Sequence, residues 1–130
     1  MTDTPPPFDA LWFRLLVGIV VGLIIGSFVT MLSYRLPKRI SIITPGSHCP
    51  ACKTPLTPRE LVPILSWVMQ RGRCRTCGVF TGWRYLLIEL ATGIAVMVAF
   101  VIVGFTFVLI IPVLFIIALI TAFAIWLERD

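Results

Sequence analysis

Every cysteine in this chain lies in one of two short motifs, Cys49-Pro50-Ala51-Cys52 and Cys74-Arg75-Thr76-Cys77, with 21 residues between them. Two CxxC pairs are the sequence form of a tetrahedral Cys₄ zinc site, in which each tight turn offers two thiolates. Gly78 directly after the second pair suits such a turn. Zinc matches a soft, redox-inert site whose turns must be held by something other than burial. The expected role is structural, one Zn²⁺ per chain, because four thiolates leave no open position for a reacting water. Two disulfides, or four separately buried cysteines, are the other uses of the same residues. His48 could replace a thiolate, but its adjacency to Cys49 favours a spectator role.

The elements that must hold such a loop are membrane helices. The 130 residues are 58 % hydrophobic and 13 % charged, with mean hydropathy +1.01. A soluble domain carries about 25 % charged residues. Nine of the eleven basic residues (Arg35, Lys38, Arg39, Lys53, Arg59, Arg71, Arg73, Arg75 and Arg84) fall between the first two apolar blocks, against one acid, Glu60. The positive-inside rule places that loop in the cytoplasm, where thiols stay reduced. The expected partners are the bilayer and other integral membrane proteins. Nucleic acid is not expected, because no aromatic platform or recognition helix accompanies the charge.

Three spans are expected, over residues 11–34, 85–103 and 107–127. They enclose a loop domain at 35–84 and follow a flexible leader at 1–10, which lacks the basic start and cleavage site of a signal peptide. The N-terminus is outside, with the loop and C-terminus in the cytoplasm. The fold class is therefore membrane all-α with a small zinc-ribbon-like module. Gly18, Gly22 and Gly26 share one face of the first span, a stripe that lets another helix approach closely: a candidate docking face for a partner, or for the second or third span of this chain. Trp83-Arg84-Tyr85 anchors the second span at the interface. Glu89, one turn deeper, should pair with Arg35 or Arg84. Pro112 should kink the third span.

Within the loop, Ile40, Ile42 and Ile43 alternate weakly enough for a short strand. Thr57-Pro58-Arg59-Glu60 reads as a capping box. Pro63 then restarts the chain as a helix running to about Arg71. Its Leu61, Ile64, Leu65 and Val68 side, flanked by Trp67, would pack on the module and lie in the membrane interface.

Four pieces taken together resemble the N-terminal domain of the bacterial type IV prepilin leader peptidase and N-methyltransferase family. They are Gly26-Ser27-Phe28 with Tyr34-Arg35-Leu36-Pro37; Cys49-Pro50-Ala51-Cys52; Val62-Pro63-Ile64-Leu65-Ser66-Trp67 through to Cys77; and Arg84-Tyr85 with Glu89-Leu90-Ala91-Thr92-Gly93. The resemblance covers about residues 20–95. Thr30 stands where the family has asparagine, and Leu86 where it has proline. The resemblance implies a bacterial inner membrane protein. It also implies that proteolysis belongs to a further multi-span domain with two catalytic aspartates, one in a GxGD motif. Here the aspartates are Asp3, Asp9 and Asp130, and no GxGD occurs. The chain is thus expected to be a noncatalytic accessory subunit docking onto membrane partners. The alternative is a component of a split peptidase/N-methyltransferase that contributes to pilin processing or methylation.

Overall fold

The structure, a computed structural model, describes residues 10–129. Apart from Ala10, the expected leader lies outside the described residues, as do Asp3, Asp9 and Asp130. Helices α1 (Leu11–Arg35), α2 (Leu65–Met69), α3 (Trp83–Val103) and α4 (Ile110–Arg129) follow in order, with 3₁₀ turns at Pro58–Leu61 and Phe107–Leu109. Helices α1, α3 and α4 are long and apolar enough to cross a membrane. The 47 residues joining α1 to α3 and the short α3–α4 turn lie at opposite ends of this three-helix array.

The array is built on backbone contact between antiparallel α1 and α3. A Cβ on Gly18 would meet Met97 Cα at 2.9 Å, one on Gly22 the Gly93 carbonyl oxygen at 2.7 Å, and one on Gly26 Glu89 Cα at 2.9 Å. Each step of four along α1 is answered by a step of four back along α3. Both helices therefore keep the same faces together over the whole seam. The glycine stripe is consequently filled from within the chain. Of the two expected neighbours the stripe takes the second span of its own chain, and the expectation of a partner helix there is corrected, because no space for a further backbone remains. Thr30 Oγ1 and Thr92 Oγ1 donate to Gly26 O and Ile88 O, 2.9 and 2.7 Å away. These bonds satisfy both buried hydroxyls within their own helices.

The 3₁₀ turn before α4 completes a small core in which Val96, Ala99 and Phe100 meet Leu109, with Val113 and Ile116 of α4 packed against it. Gly104 makes the α3–α4 turn with φ +74°, a conformation that costs glycine little. Phe105 from this turn packs on Phe13 and Phe100, with ring centroids 5.7 and 5.3 Å apart. Pro112 is the third residue of α4. In a first turn the N–H groups have no partner within the helix, so Pro112 marks a start and not the expected kink.

The loop departs from the sequence-based expectation in two places. Residues 40–43 form no strand, since Ser41 Oγ takes the N–H groups of Ile43 and Thr44 at 3.2 and 3.3 Å and folds them into a turn. The helix expected from Pro63 to about Arg71 is reduced to Leu65–Met69, because Ile64 has φ +58° and cannot belong to it. The capping box closes a 3₁₀ turn: Glu60 Oε2 accepts from Thr57 N at 2.7 Å and from Thr57 Oγ1 at 2.8 Å. Trp67 turns into the module, donating from Nε1 to Gly82 O at 3.2 Å and packing on Phe80 and Trp83. Gly72, at φ +67°, fits beneath it where a Cβ would lie 2.6 Å from the indole.

Replacing Gly22 with alanine should leave membrane insertion intact, because apolarity is retained. It should lower thermal stability by about 1–3 kcal/mol, since the Gly93 backbone must move. A melting curve in detergent reads this directly, and a wild-type melting point would show that the seam is looser than the 2.7 Å approach requires.

Candidate metal centre

Each CxxC pair sits in a hairpin of the same backbone design. In the first, Cys49 N donates to Thr54 O at 3.0 Å and Lys53 N to Cys49 O at 2.8 Å. In the second, Cys74 N donates to Val79 O and Gly78 N to Cys74 O, both at 2.9 Å. Antiparallel bridges His48–Pro55 and Arg73–Phe80 flank the two at equivalent positions. Lys53 and Gly78, each four residues after the first cysteine of its pair, both have positive φ, +56° and +71°. The two hairpins therefore repeat in backbone, although their sequences do not; only the cysteine spacing and the turn demand are shared.

The hairpins face each other and bring the four Sγ atoms of Cys49, Cys52, Cys74 and Cys77 within 4.8 Å of one another. The pairs 49–77 and 52–74, one sulfur from each hairpin, are 3.8 Å apart. A tetrahedron with Zn–S bonds of about 2.3 Å has edges of about 3.8 Å. A disulfide would need sulfurs about 2.05 Å apart, and all four cysteines are free. His48 is not in the cluster; its Nδ1 donates to Gly46 O at 3.1 Å.

The sulfurs sit in different electrostatic surroundings. The Thr54 hydroxyl, 3.2 Å from Cys52 Sγ, and the Thr54 backbone hold the Cys52 thiol down to about 6. The backbones of Cys77 and Thr76 lower Cys74. At Cys77 the Val79 backbone also lowers the thiol, but burial and the three neighbouring sulfurs push it up to about 11. Four thiolates together repel one another, and a divalent cation relieves that repulsion. Thr54 and the Lys53 turn were not singled out from sequence; a hydroxyl two residues after a cysteine ligand was the available signal.

Arg35, Arg84 and Glu89 do not form the expected ion pair: among the described residues, neither arginine bridges Glu89. The Arg35 guanidinium, 5 % exposed, donates instead to the carbonyls of Ser41 and Pro45. Glu89 Oε2 accepts the Ile64 N–H at 2.9 Å. Both charged groups reach up from the helix pair to bind loop backbone, which offers them nearer partners than each other. A cavity of about 620 Å³ lies between the cysteine hairpins and the helix pair, lined by Tyr34, Cys49, Trp67, Gln70, Tyr85 and Glu89 among others. Of the residues expected on an interfacial helix, Leu61, Leu65 and Val68 are exposed, whereas Trp67 and Ile64 are partly buried.

Comparison with known proteins gives the chain a family and relatives by sequence. The bacterial peptidase A24 N-terminal domain family matches residues 20–103, ending where α3 ends. A prepilin leader peptidase/N-methyltransferase of Bacillus subtilis is 46 % identical over 74 residues, 57 % of this chain and 30 % of that protein. The protein of the same name from Myxococcus xanthus is 47 % identical over 75 residues, 58 % of this chain and 22 % of that protein. The one from Dickeya chrysanthemi is 36 % identical over 115 residues, 71 % of this chain and 40 % of that protein. The matches thus span well under half of the length of these relatives. No solved structure matches the chain. Three membrane-length helices, a four-cysteine cluster that could hold a metal and a family match covering most of the chain agree: this protein belongs to the bacterial peptidase A24 N-terminal domain family.

Proposed function

We propose that this chain is a zinc-stabilised accessory module of the membrane, docking onto partner integral membrane proteins without itself supplying peptidase chemistry. The observation that carries the metal reading is the sulfur geometry, with cross-hairpin edges of 3.8 Å. A single structural Zn²⁺ held by Cys49, Cys52, Cys74 and Cys77 would tie together a zinc-ribbon-like module whose aromatic cluster is small. Elemental analysis should find one zinc per chain, and Cys52→Ser should reduce metal content and accumulation together. Clearly less than one zinc in reduced, intact protein would remove the metal from this account.

The noncatalytic part rests on the acids. An aspartic mechanism needs two carboxyls sharing a proton about one water. Residues 10–129 contain no aspartate, and their glutamates are Glu60, Glu89 and Glu128. Glu60 and Glu89 accept from Thr57 and Ile64 in separate parts of the loop. The outward stripe Trp12, Leu16, Val20, Ile24 and Phe28 of α1, opposite the glycine seam, is exposed and available to lipid and partner helices. The names of the relatives favour a second reading, in which the chain contributes to prepilin processing or methylation within a split enzyme.

Purification in mild detergent should bring down a multi-span membrane protein bearing an aspartate pair. Cleavage of a prepilin substrate by the isolated chain would overturn the accessory role. Methylation restored only when both proteins are present would select the split-enzyme reading.

The proposed topology is a multi-pass inner membrane protein with its N-terminus outside and the cysteine loop and C-terminus in the cytoplasm. Ile43 is 81 % and Phe107 93 % exposed, at opposite ends of the helices. In intact spheroplasts an impermeant thiol reagent should label Phe107→Cys but reach Ile43→Cys only after permeabilisation. The reverse pattern would invert the orientation.

A further inference from the structure

Ile64 adopts a conformation that its own chemistry opposes. Its φ of +58° and ψ of −52°, with Leu65 N–H donating to Pro63 O, define a γ-turn of the positive-φ kind. Such turns are rare and strained, and a β-branched side chain adds to the strain. A strained backbone of this kind persists only where its surroundings over-determine it. Pro63 fixes one side of the turn. On the other, α2 begins at once, with Ser66 N donating to Val62 O at 3.1 Å and Val68 N to Ile64 O at 2.9 Å. What remains is the Ile64 N–H, and Glu89 takes it across 25 positions of sequence.

The acceptor is itself rigidly placed. Glu89 lies where Gly26 admits the α3 backbone, so the glycine seam fixes the depth and direction from which its carboxylate reaches the loop. Arg35, from α1, binds the carbonyls of Ser41 and Pro45 where the loop leaves the membrane helices. The loop is thus pinned twice, by a guanidinium on carbonyls and by a carboxyl oxygen on an N–H. Ser66, Trp67 and Gln70, just beyond the second pin, form one wall of the 620 Å³ cavity.

We propose that Glu89 is a positioning residue: by accepting the Ile64 N–H it latches the segment from Pro58 to Gly72 onto α3 and holds that wall of the cavity in place. The latch goes beyond the accessory role and does not depend on which metal the cysteines hold. Its essential property is an acceptor oxygen at this position, not a negative charge.

That property makes it testable by amide hydrogen exchange on the detergent-purified full chain, alongside metal content. In Glu89→Ala, exchange over residues 64–70 should rise at least tenfold, with metal content and the protection of α1 unchanged. Glu89→Gln should restore most of the protection, because its amide oxygen accepts the same N–H. Where the alanine variant does not accumulate, Glu89→Met carries the test, filling the space without offering an acceptor oxygen. Wild-type exchange in the alanine or methionine variant would overturn the latch. Equal damage from glutamine and alanine would do so too, since it would assign the effect to charge. Loss of metal in wild-type chain with residues 64–70 still protected would count against the zinc reading and leave the latch standing.

Discussion

Close approach of the α1 and α3 backbones is the constraint from which the rest of the structure follows. In a bilayer, lipid tails are as apolar as leucine, so burying apolar surface gives helices little reason to associate. Dispersion between closely packed backbones supplies the attraction, and three glycines at four-residue spacing make it available over the middle of α1, from Gly18 to Gly26. A seam that admits no side chain also admits little sliding, because shifting the register would drive side chains into backbone. The seam therefore sets where α3 starts relative to the end of α1, and with it the span that the loop must bridge.

The loop solves a different problem. It has an aromatic cluster of Trp67, Phe80 and Trp83 but little other apolar material to bury. Small domains of this kind need cross-links. Here the two hairpins meet through their sulfurs, and the helices reach the loop through Arg35 and Glu89. Each of those charges would be costly near a membrane if left unpaired. Binding loop carbonyls and an N–H satisfies them and simultaneously anchors the module. The cavity between module and helices is the space left when a loop is hung from a few such points and not packed throughout.

The family match can be laid on the architecture. The matched region, residues 20–103, includes Gly22 and Gly26 of the seam, both pins and both hairpins, while Gly18 and α4 lie outside it.

Much of this was determined by sequence. Hydropathy requires three membrane-length helices because about 20 apolar residues cross a bilayer whatever their neighbours. The CxxC spacing requires two-ligand turns, and Thr57 to Glu60 requires a capped turn, because both act over four residues. Tertiary structure decided what lies beyond that range. Whether the glycine stripe meets a partner or a span of its own chain is not written in the stripe itself; the fold places the α3 backbone against it. Glu89 and Arg35 are near enough in prospect to form a pair, yet the folded loop presents Ile64 N–H and two carbonyls closer to them. The repeat of the two hairpins is invisible in residue identity because it resides in φ, ψ and hydrogen bonds, which Lys53 and Gly78 satisfy alike at positive φ. Local chemistry chose the elements; competition among nearby partners chose the contacts.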